Sequence, residues 1–92
     1  MSYSIELTLT AELDIKKHRD TNDKKVLIKI AKLLDELRIN PTFGTGKPKK
    51  LKHYKIPTWS RRITDKHRLV YRIQDEKVTV LVLSFWGHYD DK

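Results

Sequence analysis

Val26, Leu27, Ile30, Leu33, Leu34 and Leu37 recur at the spacing of one helix face, while Lys24, Lys25, Lys29, Lys32, Asp35 and Glu36 fill the other faces. The pattern predicts an amphipathic helix whose apolar stripe has to lie on another layer. That layer is found further along, where the apolar period shortens to two. The runs Trp59 to Thr64, Arg68 to Gln74 and Lys77 to Phe85 are β-branched, aromatic and alternating, and they predict three antiparallel strands with Asp75-Glu76 as a tight connection. At the other end Tyr3, Ile5, Leu7 and Leu9 alternate with Ser4, Glu6, Thr8 and Thr10, the period of a first strand with one buried face.

Between these segments the punctuation is local chemistry. Thr10 can cap a short helix from Ala11 to Arg19, whose acids come first and bases last, matching the helix dipole. Asp20-Thr21-Asn22-Asp23 breaks it, and Asn40-Pro41 ends the long helix, because proline disfavours helical geometry in the residue before it. The expected architecture is α+β, two N-terminal helices packed on one face of a mainly antiparallel four-stranded sheet. The opposite face is left partly free for a ligand. With 92 residues and 38% apolar content, 1–92 is expected to form a single domain.

The absence of cysteine excludes disulfides, thiolate catalysis and sulfur-ligated zinc, and fits a reducing compartment. The N-terminus lacks the layout of a signal peptide, and no run approaches the ~20 apolar residues of a membrane span. A cytoplasmic protein without a membrane partner is expected. The net charge of +8, with a pI near 9.8, draws the chain toward polyanions.

Much of that charge is gathered in one stretch. Lys47, Lys49, Lys50, Lys52 and Lys55 fall in a loop that leads into Arg61, Arg62 and Arg68, which predicts a groove that tracks phosphates. Gly44-x-Gly46-Lys47 lacks the Walker spacing, so ATP binding is disfavoured. Alternation puts Arg68, Val70 and Arg72 on one face and Leu69, Tyr71 and Ile73 on the other; Arg62 opposes Arg61 and is the one expected to look into a site.

Phosphates beside proton-transfer groups allow RNA cleavage by the 2′-hydroxyl. Arginine holds the developing negative charge and histidine moves protons, so no cofactor and no metal is required. His88, just after the last strand, is the leading proton-transfer candidate. His53 in the basic loop is a second, whereas His18 and His67 read as structural or solvated. Tyr89 can stack on an unpaired base or pack at the chain end, and Trp59 and Trp86 read as core or sheet-edge aromatics.

G-x-GKP-x-x-LKH at Gly44 to His53, WSRRIT-x-x-HRLVY at Trp59 to Tyr71 and the pair His88-Tyr89 closely resemble the Txe/YoeB toxins of the RelE-like superfamily. The resemblance implies a ribosome-dependent endoribonuclease that cuts translated mRNA in the ribosomal A site. It also implies a cognate YefM/Phd-type antitoxin, contact with operator DNA only through the antitoxin complex, and leaves a homodimer open. By the same resemblance the catalytic residues fall on Arg68, His88 and Tyr89, and RNA-binding positions on Lys52, His53 and Arg62, with Lys47 and Lys49 beside them. One departure is evident: where well-known members carry a glutamate after GKP, this chain has Lys49, which cannot accept a proton while charged. A non-cleaving relative that acts through antitoxin binding and promoter autoregulation, or a plain RNA-binding module, is the alternative.

Overall fold

The structure, a computed structural model, describes residues 2–87. Strand β1 (Ser4–Leu7) is followed by helices α1 (Leu9–Asp20) and α2 (Lys24–Ile39), strand β2 (Lys49–Lys50), and strands β3 (Trp59–Arg62), β4 (Arg68–Gln74) and β5 (Thr79–Ser84). The strands form one sheet in the order β1-β5-β4-β3-β2. The α+β layering matches the sequence expectation, but the sheet has five strands rather than four. The added strand is the short β2, which pairs antiparallel with β3 inside what reads as loop, too short to show a period of its own. The first strand runs parallel to β5, with Ser4 opposite Thr79 and Leu7 opposite Val82, so the sheet is mixed.

The first strand also ends earlier than its alternation indicates. Thr8, not Thr10, caps α1: its hydroxyl accepts from the Ala11 N–H at 3.1 Å and donates to the Leu83 carbonyl at 2.9 Å. That double use ties the strand end and the helix start to β5. Leu9 consequently enters the helix and stays exposed. Asp23 caps α2 by accepting from the Val26 N–H, and the helix ends at Asn40, before Pro41, as the proline rule requires.

Val26, Ile30, Leu33 and Leu37 from α2 meet Leu69, Tyr71, Val80 and Val82 of the sheet, and Phe85 just after it, to make the core, with Ala11 from α1. The β4–β5 connection is a single 3-10 turn, Asp75–Lys77, closed by Val78 in the left-handed region at φ 49°. Strand β5 therefore begins at Thr79 rather than Lys77. Among the described residues no helix is long and apolar enough to cross a membrane.

Candidate functional site

On the helix side of the sheet, Arg61 is fully buried, and every one of its N–H groups is used. Nη1 donates to Glu36 Oε1 at 3.0 Å and to the Thr45 carbonyl at 3.3 Å; Nη2 donates to the carbonyls of Asn40 at 2.8 Å and Phe43 at 2.9 Å. Its Nε donates to the Tyr71 hydroxyl at 3.3 Å, which in turn donates to the Pro41 carbonyl at 2.6 Å. One guanidinium thereby gathers the carbonyls of the segment after α2 and fixes the root of the basic loop. Burial opposes charge on Glu36. The hydrogen bonds from Thr45 and the Arg61 cation outweigh it and hold the carboxyl below its usual range.

Two glycines let that loop close on the sheet. Gly46 accepts from the Arg62 N–H through its carbonyl at 2.7 Å, and a Cβ there would stand 2.8 Å from the Arg62 carbonyl. A Cβ on Gly44 would strike the Glu36 carboxylate. Lys47 and His53 both adopt positive φ, 51° and 66°, a conformation non-glycine residues seldom hold and which recurs at ligand-binding loops. Leu51 is buried and its N–H donates to the Thr58 carbonyl at 2.7 Å, so Lys52 and His53 project from an anchored base.

The other sheet face carries the cations. Lys49 lies opposite Ser60, and Arg62 opposite Arg68, so by alternation Lys49, Arg62, Arg68 and Arg72 share this face. Arg62 and Arg68 are direct cross-strand partners, a like-charge pairing that costs stability unless an anion lies between them. Arg62 is 4.0 Å from Asp65, whose side chain is almost wholly solvent-exposed, which offsets little. Arg72 donates from Nε to Thr58 Oγ1 at 3.3 Å. Arg68 differs: its Nε is buried with no hydrogen-bond partner among the described residues, and so is Ser84 Oγ, one place from it on the same face. Buried donors left unpaired are rare, and each one calls for a physical explanation.

Arg62 faces away from Arg61, as the alternation predicts; Lys47 lies in the loop before β2, Lys49 on β2, Arg62 on β3 and Arg68 on β4. His88 and Tyr89 lie outside the described residues. The residue before them is held: the Gly87 carbonyl accepts from the Arg68 N–H at 2.9 Å, and the Gly87 N–H donates to His67 Nδ1 at 3.0 Å. Read from sequence, His18 and His67 are structural or solvated, and Asp14 is not singled out. The signal was present in α1, whose inward stripe runs Ala11, Asp14, Ile15, His18; polar side chains at core positions require partners.

This layout of two helices on a mixed sheet is the fold of the small RelE-type toxins. Within that class, residues 10–89 match the family model described as YoeB-like toxin of bacterial type II toxin-antitoxin system, and the chain belongs to that family. It is 42% identical to Toxin YoeB of Escherichia coli strain K12 over 67 residues, covering 73% of this chain and 77% of the relative. The solved YoeB/ParE toxin from Agrobacterium tumefaciens superposes with a TM-score of 0.85 at 34% identity, over 94% of this chain and 99% of that one. The toxin of a YoeB-YefM complex from Staphylococcus aureus gives 0.77 at 36% identity, over 97% of this chain and all of the other.

Proposed function

We propose that this toxin is a metal-independent endoribonuclease that cuts mRNA in the ribosomal A site and so stops translation in the cytoplasm. The observation that carries the proposal is the unpartnered, buried Nε of Arg68 on a face shared with Lys49, Arg62 and Arg72, one backbone hydrogen bond from Gly87, after which the chain continues into His88.

In this reading Arg68 grips the non-bridging oxygens of the scissile phosphate and gains strength as charge accumulates on them. The 2′-oxygen loses its proton and bonds to phosphorus while the bond to the 5′-oxygen breaks, leaving a 2′,3′-cyclic phosphate and a 5′-hydroxyl. His88 accepts the 2′-hydroxyl proton, water protonates the departing 5′-oxygen, and Tyr89 orients the nucleotide. Lys47, Lys52, His53 and Arg62 hold the flanking phosphates, and Lys49, placed opposite Ser60 on the face of Arg62 and Arg68, adds a cation where relatives place an acid. The message is weakly cut when free, because the ribosome supplies its in-line geometry.

A YefM/Phd-type antitoxin, as in the S. aureus complex, would neutralise the toxin by laying an acidic segment over this basic face. Mapping mRNA ends on programmed ribosomes tests the assignment. Wild type is expected to cut in the A site, Arg68→Ala and His88→Ala to lose the cut, and Lys49→Ala to slow it about tenfold, on the order of one charge-assisted contact. Equal translational arrest by wild type and His88→Ala with intact mRNA would instead favour the non-cleaving reading, for which Lys49 is the specific support.

A further inference from the structure

The ladder of β5 ends at Ser84, yet the chain stays tied for three more residues by partners that are mostly side chains. The Phe85 N–H donates to Asp14 Oδ2 at 2.9 Å, and the Phe85 carbonyl accepts from His18 Nε2 at 2.9 Å. Asp14 and His18 are one turn apart on α1 and nearly inaccessible, so together they replace the neighbouring strand that Phe85 lacks. Gly87 is then gripped at both ends, by His67 Nδ1 and by the Arg68 N–H. Trp86 fills the space between, its ring 4.8 Å from His18 and 4.3 Å from His67, with Lys17 Nζ 5.4 Å above it.

We propose that Asp14, His18 and His67 are positioning residues: they clamp the backbone of residues 85–87 against Arg68, and cleavage depends on that clamp. The proposal rests on the nuclease reading above. Gly87 completes the device, because its φ of +93° turns the chain in a way a side chain would resist, although nothing crowds the space a Cβ would take.

The clamp has a chemical condition. A backbone N–H can only donate, so His67 Nδ1 must be unprotonated, with its proton on Nε2. An imidazolium at position 67 has no acceptor left and releases Gly87. The charged and titratable groups around the ring are Asp14 and His18 from α1, Asp23 at the start of α2, and Asp65 and Lys66 beside it, with Lys17 over the neighbouring Trp86. Burial, then His18 and Lys66, hold His67 below the usual histidine range, against the opposing pull of Asp14. A cleft of about 450 Å³ bounded by His18, Asp23, Thr64, Lys66, His67 and Trp86 gives protons access to it. The clamp is thus closed near neutrality and opens in acid.

Two measurements test this. On the free ¹⁵N-labelled protein, a coupling across the hydrogen bond from the Gly87 amide to His67 Nδ1 is expected at neutral pH and is lost on acidification. In single-turnover cleavage on programmed ribosomes, His67→Leu is expected to lower kcat more than tenfold with KM within twofold. His67→Asn, whose Oδ1 takes the place of Nδ1 without titrating, should restore most of the rate and weaken its loss on acidification. Absence of the coupling, or a His67→Leu variant as fast as wild type, overturns the clamp. A wild type that shows the coupling but cuts no message overturns the nuclease reading and with it the catalytic purpose of the clamp, so the two failures are distinguishable.

Discussion

Arg61 is an ion shut away from water, held in place because each of its donors meets an oxygen. Neighbouring Arg62 points the opposite way into solvent, and one step of strand alternation separates a structural cation from a functional one. Replacing Arg61 by methionine keeps much of the volume but leaves the Glu36 carboxylate and the carbonyls of Asn40, Phe43 and Thr45 without their shared donor. A loss of about 3–5 kcal/mol is expected, read as a lower urea midpoint. Arg62→Met should leave the midpoint nearly unchanged while weakening RNA binding, since its charge faces water and phosphate.

At the scale of elements, the basic loop behaves as an extension of the sheet. Gly46 lets it approach β3, Lys49 and Lys50 pair with Ser60 and Trp59, and Leu51 pins its far end. Gly46→Ala would force a Cβ against the Arg62 carbonyl and strain a φ of +84°, so a loss of more than about 1 kcal/mol is expected, with slower cleavage as Lys47 and Lys49 shift. Denaturant titration beside ribosomal end-mapping checks both effects. Helix α2 and strands β3 to β5 were legible because each buries one face, which writes its period into the apolar residues. The cap at Thr8, the parallel pairing of β1 and the existence of β2 were not, because each is settled by hydrogen bonds to β3 or β5, distant in sequence.

Across the whole molecule, stability in acid should follow Glu36, the acid that joins α2 to the sheet through Arg61. Its folded value lies below the ordinary 4.5, so between the two the unfolded chain binds more protons; the contribution is complete above about 4.5 and is lost as pH falls through the folded value. Thermal unfolding of wild type and Glu36→Gln as a function of pH should show the variant with a flatter acid dependence. For this protein the sequence alone determined the layers, the gathering of cations on one sheet face and the family, since periodicity, charge and contiguous motifs are local properties of a chain. Only the tertiary structure decided that Asp14, His18 and His67 brace the end of β5. Those contacts join residues up to 71 positions apart, and a buried polar side chain declares its role only when its partner is in view.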